Sequence, residues 1–151
     1  KITAFEVPHD GTDNVGYCIE ADGKIFSFLT DLGEITPTAA KYICKAHHLI
    51  IEANYDEEML KMGPYPPHLK GRIASPHGHM SNRATAEFLA DNMNEHLKNI
   101  WLCHLSKDNN HPDLALKTVE FILRSRGILI GKDVQVAALK RLTPSEFHEF
   151  E

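Results

Sequence analysis

VGYCIEADGKIFSFLTDLG, residues Val15 to Gly33, decides how the chain begins to fold. Across Val15–Glu20 and again across Lys24–Leu29, β-branched and aromatic residues alternate with polar ones, the pattern of a strand with one buried face. Asp22-Gly23 between them is tight-turn chemistry, because a two-residue hairpin needs positive φ and these residues reach it at little cost. The second strand runs directly into Thr30-Asp31-Leu32-Gly33, which leaves a carboxylate where an apolar strand ends.

Working outward, Ile2–Val7 is a further strand, closed by Pro8-His9-Asp10. After Thr36 the period changes: Pro37 follows a threonine cap, and Ala39, Ala40, Ile43 and Cys44 fall on one helical stripe. Leu49–Glu52 is the next strand. Asp56–Met62 reads as a short helix stopped by Gly63-Pro64, and Pro66-Pro67 opens another through His68–Ile73. Ser81 or Asn82 caps a helix with Ala84, Phe88, Leu89 and Met93 on one face. Lys98–His104 is a strand, and Pro112–Arg126 an amphipathic helix whose Leu114, Leu116, Val119, Ile122 and Leu123 are core. Asp133–Ala137 is the last strand. The tail Leu142–Glu151 is polar, with Phe147 and Phe150 as docking contacts, and Phe26, Phe28 and Trp101 are packing residues.

An antiparallel meander followed by alternating helices and strands is an α/β (α+β) arrangement, read here as half of a sandwich in which helices cover a sheet. At 151 residues one domain is expected, and no internal repeat or low-complexity stretch divides it. No apolar run approaches the roughly 20 residues of a membrane span. The chain opens on Lys1 without a leader-like segment, so it is expected to be part of something longer. Three cysteines, Cys18, Cys44 and Cys103, are an odd number in apolar surroundings, which points to buried free thiols and a cytoplasmic setting. A net charge of −5 excludes the wholesale attraction to polyanions seen in basic nucleic-acid-binding domains. Ten histidines offer another route, since divalent cations in an acidic site supply positive charge locally.

Three strand ends carry the chemistry: His9 after Ile2–Val7, Asp31 after Lys24–Leu29 and His104 after Ile100–Cys103. Each alone is ordinary. Together, two imidazoles and a carboxylate at successive strand ends are the ligand types that borderline divalent metals accept. Glu52, closing the strand Leu49–Glu52, and His79, between Gly78 and a helix cap, form a second constellation. A carboxylate facing an imidazole keeps it protonated enough to serve a leaving oxygen. Asn54, Tyr55, Arg72 and Asn82 are candidates for substrate contact, with Lys70 and Arg83 as further basic residues nearby. Cys103, inside an apolar strand with no base beside it, reads as core.

Six blocks in order carry a resemblance: Val7-Pro8-His9-Asp10, Val15-Gly16-Tyr17, Thr30-Asp31-Leu32-Gly33, Ile51-Glu52-Ala53-Asn54-Tyr55-Asp56, Gly78-His79-Met80-Ser81-Asn82, and His104-Leu105-Ser106 with Asn109-Asn110. The chain resembles the C-terminal part of a metallo-β-lactamase-fold hydrolase, and within that superfamily the YycJ/WalJ group. The resemblance implies an αββα sandwich of which residues 1–151 are the C-terminal portion of a single domain. It implies two divalent metal ions, zinc or manganese, with His9 on the first, Asp31 bridging and His104 on the second. The N-terminal signature His-x-His-x-Asp-His, which supplies two ligands to each metal, is absent from these residues. Related tRNA-processing nucleases use a Glu and a His in places similar to Glu52 and His79.

The implied activity is phosphodiester hydrolysis by a nuclease of exonuclease type, on DNA or RNA, once the missing half of the fold is present; these residues alone are expected to be inactive. A hydrolase of small esters, lactones or thioesters on the same scaffold, and a non-catalytic binding module that lost one metal cluster, are the competing readings.

Overall fold

The computed structural model describes residues 1–150. Three strands open the chain: β1 (Ile2–Glu6), β2 (Val15–Ala21) and β3 (Lys24–Leu29). They pair antiparallel, with Asp22 and Gly23 both at positive φ in the turn, as the Asp-Gly pair predicts. Helix α1 (Pro37–Cys44), capped by the Thr36 side chain on the Ala39 N–H, crosses over to β4 (His48–Glu52), which lies parallel to β3. The short helices α2 (Glu57–Met62) and α3 (Pro67–Ile73) follow, then α4 (Asn82–Asp91), β5 (Asn99–Cys103), α5 (Pro112–Ser125) and β6 (Gln135–Ala138). The six strands lie in chain order in one sheet, antiparallel from β1 to β3 and parallel from β3 to β6.

The pleat sends alternate side chains to opposite faces. On one face Phe5, Cys18, Leu29, Leu49, Ile51, Ile100 and Leu102 pack with Ala39 and Ile43 of α1, Ala86 and Leu89 of α4, and Ala115, Val119 and Leu123 of α5. Each fully buried Leu or Ile there contributes about 1.5–3 kcal/mol. The opposite face is only partly covered. Ile2 (69% exposed) and Tyr17 (46%) stand open, while Phe26, Phe28 and Ile50 are half-buried. Phe150 from the tail covers part of it, its ring 4.2 Å from His48 and 5.3 Å from Phe26, whereas Phe147 faces solvent. Glu151, the last residue of the expected tail, lies outside the described residues.

Some expectations are corrected. On α4 the buried side is Asn82, Thr85, Ala86 and Leu89, with Ala84 exposed and Phe88 half-buried, because Ser81 caps the Ala84 N–H and this phase turns Thr85 onto the Glu52 carbonyl. Met93 lies beyond the helix end. On α5 the fully buried stripe is Ala115, Val119 and Leu123, flanked by half-buried Leu114, Leu116 and Ile122. Cys44, at the last turn of α1, is exposed, so only Cys18 and Cys103 are buried thiols. Among the described residues no helix is long and apolar enough to cross a membrane.

Candidate metal centre

The C-terminal ends of the parallel strands, the usual place for a binding site in such sheets, bring the titratable groups together. Asp31 follows β3, Glu52 ends β4, His104 follows β5, and His79 arrives on the segment leading into α4. One ligand atom from each of these four lies within 4.8 Å of the others. Asp31 and His104 both adopt left-handed backbone, at φ 53° and 56°. Aspartate and histidine tolerate that region better than most residues, and strain of this kind concentrates at functional sites.

Glu52 is the hub. It is fully buried, and one carboxylate oxygen accepts from His79 Nδ1 at 2.8 Å and His104 Nδ1 at 2.5 Å. Its other oxygen accepts the backbone N–H groups of Leu32 at 3.3 Å and Met80 at 3.2 Å. Burial pushes the Glu52 carboxyl pKa up, but hydrogen bonds from His104 and His79 and the charges on those rings outweigh it, leaving it below the ordinary value. His104 moves the other way: its hydrogen bond to Glu52 outweighs burial and, with the charges of Glu52 and Asp31, raises its pKa. Burial, aided by Glu52 and Asp31, pushes the Cys103 thiol up to about 12, which makes it inert.

His9 joins them from the loop after β1, its ring centroid 4.9 Å from that of His79. Its Nδ1 donates to the Gly78 carbonyl at 2.8 Å, which leaves Nε2 facing Asp31 Oδ1 at 3.7 Å and Asp10 Oδ1 at 3.4 Å. Two glycines allow this approach. A Cβ on Gly33 would meet the Pro76 carbonyl oxygen at 2.2 Å, and one on Gly78 would meet the Arg72 and Ile73 carbonyl oxygens at 2.2 Å. The Gly33 N–H, in turn, bonds to the Pro8 carbonyl, tying the Asp31 loop to the His9 loop.

The donor set suits a divalent cation. Glu52 takes the Nδ1 protons of His79 and His104, so Nε2 is the atom of each ring able to hold an ion. His9 Nε2 stands 3.7 Å from Asp31 Oδ1, close to the roughly 3.3–3.6 Å between donors held about 2.0–2.2 Å from one tetrahedral ion. With Nδ1 of His9 donating, Nε2 faces two carboxylates, an arrangement made favourable either by a proton on that nitrogen or by a cation between the groups. Glu52 gripping two imidazoles through Nδ1 is the carboxylate–histidine support common around metal ligands.

The expected substrate contacts are placed differently from one another. Arg72 is exposed and ion-paired with Asp10 beside a cavity of about 160 Å³ lined by His9, His79, Leu69 and Ile73. Asn54, Tyr55 and Asn82 are buried. Asn82 exchanges amide hydrogen bonds with Asn110 at 2.8 and 2.9 Å, and Asn54 donates to the His104 carbonyl. Lys70 donates to the Lys61 carbonyl, and Arg83 pairs with Glu57 and Glu87 on the surface. Sequence reasoning missed Asp10, whose only signal was its place after His9. It gave no role to Thr85, which carries no local signal, or to Asn110, whose signal was its place in the last of the six blocks; they hold the Glu52 and Ala53 carbonyls.

A mixed sheet with helices on one face and a His, Asp and Glu cluster at its strand ends defines a metallo-β-lactamase-type fold, and the chain belongs to the family described as Beta-lactamase superfamily domain, which matches residues 1–100. That fold implies binding of divalent metal. More particularly, the chain is similar to the exodeoxyribonuclease YycJ of Bacillus anthracis, 33% identical over 136 residues that cover 90% of this chain and 52% of that protein. It is 38% identical over 135 residues to the exodeoxyribonuclease WalJ of Streptococcus pneumoniae serotype 2 (strain D39 / NCTC 7466), covering 89% and 50%. Among solved structures it resembles the metallo-beta-lactamase fold protein YhfI of Bacillus subtilis, with a TM-score of 0.63, 16% identity, and coverage of 92% of this chain and 46% of that one. The chain spans about half the length of the curated relatives it matches.

Proposed function

We propose that this chain is the C-terminal portion of a metal-dependent phosphodiester hydrolase, a nuclease of exonuclease type acting on nucleic acid. The observation that carries the reading is the grip of Glu52 on both His79 and His104 beside Asp31. His9 and Asp31 would hold one cation and Asp31 and His104 a second, with Asp31 shared. Two divalent cations, zinc or manganese, would supply Lewis acidity and lower the pKa of water at the site. Glu52 orients His79 through Nδ1, which leaves the other ring nitrogen to hold the proton that a leaving oxygen takes. Arg72, the exposed cation at the rim, would meet a phosphate, at the expense of its pairing with Asp10.

The half-covered sheet face bearing Phe26, Phe28 and Ile50 supports a partner sheet, and we assign it to the other half of the same sandwich, the part that carries His-x-His-x-Asp-His. The share of the YycJ and WalJ relatives that this chain spans fits that division. Three free cysteines fit a cytoplasmic setting.

The test is activity of the complete native protein on end-labelled oligonucleotides and on chromogenic esters. Strand cleavage that is lost on chelation and on His79→Ala is expected. Ester turnover without strand cleavage would overturn the nuclease reading.

A further inference from the structure

Asn54 stands two residues beyond Glu52 and is 9% exposed. Its backbone N–H donates to the Met80 carbonyl at 2.9 Å, its carbonyl accepts the Ser106 N–H at 2.7 Å, and its side-chain amide donates to the His104 carbonyl at 2.7 Å. One residue thus ties the end of β4 to the segment bearing His79 and to the loop bearing His104. The neighbouring carbonyls are held as well, Glu52 by Thr85 and Ala53 by Asn110, so the run 52–54 forms a fixed anchor.

His104 needs such an anchor. At φ 56° it occupies backbone space that a non-glycine residue leaves readily for the extended region, and that change would swing its ring away from Glu52 and Asp31. We propose that Asn54 is a positioning residue for His104: its amide, by holding the His104 carbonyl, keeps the imidazole in the orientation that serves the metal centre, and it makes no contact with substrate. This rests on the metal-centre reading above. It also accounts for an amide at this position, because a carboxylate of the same shape would set an oxygen against the carbonyl oxygen of His104.

The experiment uses the complete native protein and zinc titration with a competing chelator. Asn54→Ala and the isosteric Asn54→Asp are expected to weaken zinc binding by about 10–100-fold, the usual effect of losing a group that orients a ligand. KM for an oligonucleotide, measured at saturating zinc, is expected to stay within about twofold. A raised KM with unchanged zinc affinity would assign Asn54 to substrate and overturn the inference, as would zinc affinity and kinetics that both stay at the wild-type level. His104→Ala separates the two layers of argument: wild-type zinc affinity in that variant means the metal reading has failed, while loss there with none in the Asn54 variants means the positioning role has failed. Where either Asn54 variant does not fold, the wild-type protein answers by NMR. The Asn54 side-chain amide resonances are expected to shift on zinc addition and not on oligonucleotide addition at saturating zinc, and the reverse pattern refutes the role.

Discussion

Strand β4 is five residues long and has a histidine cluster at each end. At its start His48 and His47 lie near His96, with ring centroids of His47 and His96 6.1 Å apart. At its finish Glu52 gathers His79 and His104. Only the second end has a buried carboxylate, and that difference decides the properties of the rings. His104 has its pKa raised by its hydrogen bond to Glu52. His48, packed against Phe26 and Phe150, has its pKa lowered by burial, then by the charges of His47 and Lys24. Its Nδ1 faces the Asn99 amide, and its buried Nε2 has no partner among the described residues. Histidines in proximity therefore do not make a site; a shared acceptor that fixes their tautomers and aims them does.

The harshest way to break the contrast is Glu52→Leu. It strips acceptors from two imidazoles and two backbone N–H groups, and the expected loss is about 3–5 kcal/mol of stability by chemical denaturation. Glu52→Gln, which keeps the shape and one acceptor oxygen, is expected to cost less. Gly78→Ala comes next, because its Cβ would strike backbone oxygens that cannot move aside as a side-chain tip does, with about 1–3 kcal/mol lost by the same measurement.

Stability against pH in metal-free protein sharpens the comparison, since the two ends slope in opposite directions. The folded-state pKa of His104 is raised, so its contribution is present below the ordinary histidine value of 6.5 and fades as pH rises through the raised value. The His48 pKa is lowered, so the unfolded chain takes up the proton first, and stability falls as pH drops below 6.5. His48→Phe is expected to remove that loss while changing stability at neutral pH by less than about 1 kcal/mol. His104→Ala is expected to flatten the opposite limb, and parallel slopes from the two variants would contradict the contrast. Glu52, with a lowered pKa, adds stability that disappears as pH falls through that value in the acid range, and Glu52→Gln should lack this limb. The smallest effect belongs to His96→Ala, at the end without a buried carboxylate: within about 0.5 kcal/mol in stability, and zinc affinity unchanged.

Much of the site was legible from strand-end positions. His9, Asp31, Glu52, His79 and His104 were all singled out, and the structure brings them to one edge of the sheet. Their grouping was not legible. Glu52 and His79 read as a constellation separate from His104, whereas one Glu52 oxygen holds both rings, across 27 and 52 residues of chain. Asn54 and Asn82 read as candidates for substrate contact and are found buried, tied to a carbonyl and an amide, because an amide's surroundings depend on what the packing of α4 and the β5 loop sets beside it.

Sequence alone determined the strands, the Asp22-Gly23 turn, the helix caps and the residue types at each strand end, since alternation, turn chemistry and capping act over one to four residues. The tertiary structure alone decided that β3, β4 and β5 lie parallel and in register, with Leu29 beside Ile51 and Glu52 beside Cys103. That register sets Asp31, Glu52 and His104 side by side, and it arises from packing across the whole sheet, which no local window of residues contains.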